Sequence, residues 1–247
     1  MSPLLQRLAT FLPGPHEGPC EVEMICLTWS RKRGGRCMAG LRTDGGGWVR
    51  PVGDTPDGTL PEKPDARVLD VLRVSLGDAC PKPHQPENWR LRRVWYNPWH
   101  RPWRLVARPA PEDIVARLET HLSEGPLLLG SRGDRVSEEQ FQDTPAEESL
   151  ALIQPEDLRW QIRANPSGER KMRAVFCWKG APYNLAVTDP VWAQRLSDLG
   201  PGCHPHAAVG DDAGKTVLLT ISLGEPYNGC CHKLVAAVIV LTDRARF

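Results

Sequence analysis

Proline and glycine interrupt this chain so often that long helices have little room: 24 prolines and 22 glycines make up close to a fifth of its 247 residues. Proline removes a backbone donor and glycine weakens helix and strand interiors, so such a load favours many turns and short strands. The reading is a mainly β fold. Domains commonly run to about 100–150 residues, so two small cores fit this length better than one large core. Hydrophobic residues at 40% and charged residues at 25% are ordinary for a globular chain and exclude wholesale disorder.

Periodicity divides the chain further. Residues 1–12 read as a short amphipathic helix with Leu4, Leu5, Leu8 and Leu12 on one side, closed by Pro13-Gly14-Pro15. Strand-like segments follow at Val22–Trp29, Cys37–Thr43, Trp48–Val52 and Val68–Leu76, separated by glycine, proline and aspartate clusters. Cys80–Pro111 has no clear period and reads as ordered loop with one short strand. Pro111–Leu122 reads as a helix, because Pro111 suits its first turn and Ile114, Leu118 and Leu122 recur at helical spacing. Helical turns are expected around Ser137–Phe141 and Pro145–Leu150. The expected division is a helix and linker over 1–20, a first domain over 21–110, an acidic helical connector over 111–155 and a second domain over 156–247.

The last hundred residues are the most legible. Leu158–Arg163, Lys171–Trp178 and Tyr183–Thr188 alternate apolar and polar residues; Pro190–Leu199 has helical spacing, and Thr216–Leu223 and Lys233–Leu241 read as strands. The succession β-β-β-α-β-β is that of a five-stranded barrel of the OB type, although other small barrels and split sheets share it. Laid over the first domain, the same template makes Ser30–Arg36 the loop between strands one and two, and Asp44-Gly45-Gly46 the next hairpin turn. The expected architecture is two OB-like barrels with a few short helices between and around them.

Several chemistries are set aside on spacing. Gly214-Lys215-Thr216 resembles part of a phosphate loop, but Val209 stands where that pattern needs its first glycine, and a strand follows where a helix is required. The glycines at 34–35 and 45–47 also lack a following helix. Cys203, His204 and His206, and Cys230, Cys231 and His232, lack the two-to-four-residue gaps of structural zinc pairs. Cys231 and His232 are strand neighbours that point to opposite faces, which does not suit a nucleophile and its base. No metal, cofactor or catalytic residue is assigned. The irregular cysteine spacing and the lack of a long apolar run at the start lead to the expectation of a reduced, cytoplasmic protein that does not enter a membrane.

Charge directs attention to a polyanion. The formal net charge is +1, yet Asn88 to Arg108 holds six arginines and no acid, whereas Asp134 to Asp157 holds eight acids against Arg135 alone. Arg31, Lys32, Arg33 and Arg36 crowd the first expected loop, and Trp48 and Arg50 share a strand face. In the second domain Arg159 and Arg163, with Lys171 and Arg173, fall on the outer face of two adjacent strands. Arginine on phosphate and bases stacked on aromatic rings are the means of single-strand recognition. These ten residues form the candidate nucleic-acid site. Of the four tryptophans between Asn88 and Arg108, Trp89 reads as structural, tied into a loop by cation–π packing, while Trp95, Trp99 and Trp103 admit either that or stacking on a ligand.

The blocks "ICLTWSRKRGGRCMAGL", "GGWVRPV", "GTL", "VLDVLRVSL", "QPENW", "AVTDPVW" and "LLTISLGEPYNGCCHKLVAAVI", in that order, resemble the dual OB-containing domain family of prokaryotic proteins. The resemblance runs from Glu23 to Ile239, and it implies two OB barrels and an association with nucleic acid, with no established catalytic set to carry over. The chain departs from the expected pattern at "GCCH", where aromatic residues are expected around the cysteine matching Cys231. A second reading keeps an enzyme or nucleotide-signal receptor with a small pocket expected between the barrels around Glu225, Asp189 and Arg36, with Ser30 and Ser222, because "SLGEPYNGC" has more chemical variety than a turn needs. The acidic connector is a third candidate surface, for a protein partner.

Overall fold

The computed structural model describes residues 20–32, 35–61, 66–92, 102–165, 168–209 and 215–241. The helix expected over 1–12 lies outside them. The chain forms two compact units, one from Met1–Pro109 with Ser137–Ser149 and the other from Ala110–Val136 with Leu150–Phe247. Residues 111–155, read as a connector, are thus shared between the two.

The first unit is a closed five-stranded barrel. Its strands are β1 (Cys20–Lys32), β2 (Gly35–Arg42), β3 (Trp48–Val52), β4 (Val71–Ala79) and β5 (Asn88–Leu91), in the order β1-β2-β3-β5-β4, with β1 also pairing β4. All neighbours are antiparallel except β3 and β5, which run parallel. Closure rests on the length of β1: Cys20–Ile25 pair with β4, and Met24–Lys32 pair with β2. A bulge between Cys26 and Thr28 lets one strand serve both partners. Gly40 is needed at this crossing, since a Cβ there would lie 2.0 Å from the Ile25 carbonyl oxygen. The interior is filled by Met24, Trp29, Met38, Val49, Leu72, Val74 and Trp89, with Trp103 edge-on to Trp29 at 5.9 Å.

The loop expected across Cys80–Pro111 holds two strands, β5 and β6 (Trp103–Ala107), the latter added antiparallel to β4. In β6 only Trp103 is buried, so the segment lacks the alternation that marks a half-buried strand.

The second unit repeats the plan with its first strand divided. The helix α1 (Pro111–Glu119) and the short strand β7 (Arg135–Ser137) precede β8 (Leu150–Ile153), β9 (Glu156–Ala164), β10 (Arg170–Trp178) and β11 (Ala181–Val187), while the single helical turn α2 (Gln140–Asp143) that lies between β7 and β8 in the chain belongs to the first unit. Then come α3 (Pro190–Leu196), β12 (Gly202–Pro205), β13 (Thr216–Tyr227) and β14 (Cys230–Leu241). The sheet order is β12-β9-β10-β11-β14-β13-β8, with β11 and β14 parallel, as β3 and β5 are in the first unit. β8 pairs β13 and β9 pairs β10, and only Gln154-Pro155 separates them. Together they do what β1 does alone, with the corner at a proline that cannot donate to a ladder. The helical turn expected at Pro145–Leu150 is absent; the chain there is irregular and enters β8.

Asp189 explains how α3 is set on this barrel. One carboxylate oxygen accepts from the N–H groups of Val191 at 2.8 Å and Trp192 at 3.2 Å, while the other accepts from Val238 of β14 at 3.0 Å. The Trp192 indole donates to the Val238 carbonyl at 3.1 Å. Trp192 thereby stacks on Trp160 at 5.1 Å inside a core completed by Phe176, Tyr183, Leu185, Leu219 and Val235. Among the described residues no helix is long and apolar enough to cross a membrane.

Candidate nucleic-acid interface

In the second barrel the alternation of β9 and β10 separates core from surface cleanly. Trp160 and Ile162 of β9, with Ala174 and Phe176 of β10, point into the core. Arg159, Gln161 and Arg163, with Lys171, Arg173 and Val175, fall on the other face. The register sets Arg163 directly opposite Lys171, Gln161 opposite Arg173, and Arg159 opposite Val175. Arg159, Arg163 and Lys171 are exposed. Two like charges directly opposite each other on paired strands repel, so the Arg163–Lys171 pair costs the barrel stability unless an anion lies over it.

Arg173 is differently placed. Its guanidinium donates to the Asn184 side-chain and main-chain oxygens and forms an ion pair with Asp134 at 3.2 Å. Asn184 in turn donates to Gln161 at 3.2 Å, so a polar ladder crosses β9, β10 and β11. Asp134 also meets Arg135 at 3.3 Å, and its carbonyl accepts from the Lys233 amide of β14. The structure therefore keeps three exposed cations of the expected four and ties the fourth to the protein.

Lys233 is the least expected charge in this unit. It is 1% exposed, with its ammonium donating to the carbonyls of Ser131 at 2.5 Å and Gly133 at 3.2 Å and lying 5.4 Å from the Tyr183 ring centroid. Burial pushes its pKa down to about 8, against a smaller upward pull from Asp134. Its place beneath the Ser131–Asp134 segment makes it a fastener between that segment and β14.

The first barrel corrects the sequence expectation. Trp48 and Arg50 do share a face, but Trp48 is 8% exposed and Arg50 4%, so neither offers a surface to a polymer. Arg50 donates to the Ser149 hydroxyl at 2.8 Å, and that hydroxyl donates to Glu87 at 2.7 Å while the Ser149 amide also donates to Glu87. The pair belongs to a buried polar network that fastens residue 149 over β3 and β5. Arg31 is exposed at the end of β1, the Lys32 ammonium donates to the Asp57 carbonyl, and Arg36 lies 5.9 Å from the Trp29 ring; Arg33 falls outside the described residues. Arg42 braces the hairpin turn, holding Asp44 through bonds of 3.0 Å and 2.6 Å while Asp44 accepts from the Gly46 amide.

Trp89 is buried, as its structural reading has it, and Trp103, left open by the sequence, is buried too. All seven among the described residues are buried, Trp89 and Trp103 in the first core and Trp160, Trp178 and Trp192 in the second. Trp95 and Trp99 lie outside the described residues. Among the described residues the exposed aromatic ring is Tyr227 instead, 61% exposed beside the Asn228-Gly229 turn between β13 and β14. The Asn-Gly pair was readable as a hairpin signal, and its flanking residue was the place to look for a displayed ring.

The alternative pocket loses its acid. Asp189 is 3% exposed and committed to three backbone N–H groups; burial nevertheless raises its pKa, against the lowering effect of those bonds. Ser30 and Ser222 are buried, the Ser222 hydroxyl donating to the Leu223 carbonyl at 3.3 Å, and Glu225 is half-exposed. Burial raises the thiols of Cys20 and Cys80 and pushes Cys26 up to about 12, away from nucleophilic use. Among the described residues no three His, Cys, Asp or Glu side chains are grouped as a metal would need.

Two barrels, each with a parallel contact between its third and fifth strands and a first strand that reaches both neighbours, define a tandem OB-type protein. Within that class the chain belongs to the dual OB-containing domain family, whose model matches residues 22–238. Comparison with curated proteins gives no match. Among solved structures the chain is similar to the tetrameric p202 HIN2, at 10% identity and a TM-score of 0.30, covering 93% of this chain and 95% of that one. It is also similar to the p204 HINb domain, at 13% identity and a TM-score of 0.34, covering 92% and 97%.

Proposed function

We propose that this protein is a non-catalytic module that binds nucleic acid through the outer face of β9 and β10. The observation that carries the reading is the exposed cross-strand pair Arg163–Lys171, with Arg159 further along the same face. Strands two and three form the ligand face of OB barrels; here β10, which carries Lys171, is strand two, and Arg159 and Arg163 extend that face onto the adjoining half of strand one, β9. Phosphates seated on the pair would relieve its repulsion. The buried tryptophans shift the expected chemistry from stacking on indoles to contacts with the backbone.

Fluorescence anisotropy with labelled DNA and RNA oligomers tests the proposal on the full chain. Reversing the pair with Arg163→Glu and Lys171→Glu should weaken binding at least tenfold while leaving the fold intact by circular dichroism. Equal affinity of the variant and the parent would defeat the reading.

A further inference from the structure

Tyr227 is an uncommon place for an aromatic ring. It is 61% exposed in a protein that buries every described tryptophan. It ends β13, opposite Cys230, and the next two residues carry positive φ: 51° at Asn228 and 71° at Gly229. Those values are those of a two-residue I′ turn, whose twist matches the strands it joins. The ring is therefore presented on a short, braced hairpin instead of a loose loop. Tyrosine also suits a contact surface, because only two side-chain torsions must be fixed on binding.

The hairpin is also placed with respect to the cationic face. It joins the fourth and fifth barrel strands, and that loop borders the ligand face in OB barrels. Leu234 pairs with Ala186, and extending that parallel register four residues beyond the paired positions would set Cys230 about level with Pro182. Pro182 pairs with Cys177 of β10, two residues from Val175, which lies opposite Arg159. The row of Arg159 is thus about 7 Å along the strands from the hairpin base and about 14 Å across them, at ordinary strand spacings. The two offsets combine to about 16 Å, and at about 3.4 Å per nucleotide about five nucleotides cover that span.

We infer that Tyr227 stacks on a base of the bound strand and that the ligand is single-stranded. The inference rests on the phosphate-binding face proposed above. A duplex keeps its bases stacked on one another and has none to offer the ring, whereas a single strand that runs from Arg163 and Lys171 past Arg159 can turn a base onto it.

The test uses the full chain with a labelled single-stranded 12-mer and a duplex of the same sequence. Tyr227→Ala should weaken single-strand binding about 5- to 150-fold, the usual range for one lost stack. Tyr227→Phe should stay within about twofold of the parent, because the ring face is retained. The slope of affinity against salt should not change in either variant, since no charge is removed. The parent should prefer the single strand over the duplex by tenfold or more. Unchanged single-strand affinity in Tyr227→Ala, or equal binding of duplex by the parent, would overturn the inference while salt-dependent binding left the cationic face standing. Absence of any salt-dependent binding by the parent would remove both.

Discussion

Lys233 allows a stability prediction with a definite sign. The lysine is almost wholly buried against two carbonyls and the Tyr183 ring, and its pKa falls from 10.5 to about 8. The unfolded chain holds that proton to about pH 10.4, whereas the folded chain releases it near 8. Between these values the unfolded state binds more protons, so stability rises with pH. Below 8 both states are charged and the full desolvation cost applies. The gap corresponds to an upper bound of about 3 kcal/mol across the window. Urea unfolding followed by tryptophan fluorescence, on the parent and Lys233→Met at steps from pH 7.5 to 10.5, isolates this contribution from the other groups that titrate there. The parent should gain about 2–3 kcal/mol on the variant over that range. A difference that stays flat would mean that the ammonium is not desolvated in the folded chain, and the fastener role would fall.

Other expectations follow from the same geometry. Arg50→Ala should cost about 1–3 kcal/mol, since it removes a donor from the buried Ser149–Glu87 network, yet leave oligonucleotide affinity unchanged; denaturant titration and anisotropy read the two effects separately. Asp189→Ala should cost about 1–3 kcal/mol through the lost helix cap and the orphaned Val238 amide, with part of the loss restored by Asp189→Asn. Gly40→Ala should lower the melting temperature, because its Cβ would meet the Ile25 carbonyl oxygen at 2.0 Å and the crossing of β1 over β2 would have to open.

The second barrel was readable because its strands alternate. Arg159-Trp160-Gln161-Ile162-Arg163 shows which face is wet, and the structure keeps that division. β8 was missed for the opposite reason: Leu150–Ile153 is buried throughout, and a four-residue apolar run has no period to separate strand from helix. β12, Gly202–Pro205, is a largely exposed edge with no apolar pattern at all. In the first barrel the sequence shows that Trp48 and Arg50 share a face, but whether that face is open depends on residues far away in the chain. Ser149 lies 99 positions from Arg50 and 62 from Glu87, a pairing that no local pattern announces. Asp189 was singled out for chemistry, and an aspartate directly before Pro190 at a helix start was equally readable as a cap.

Cations that grip phosphate must release counterions, and that release can be counted. The slope of log affinity against log salt for a single-stranded oligomer, measured from 50 to 200 mM on the parent and on Arg159→Ala/Arg163→Ala/Lys171→Ala, tests the cationic face most directly. Each lost phosphate contact should reduce the slope by about 0.7, so the triple variant should fall short of the parent by about 2. Identical slopes for the two proteins would show that the bound strand lies elsewhere.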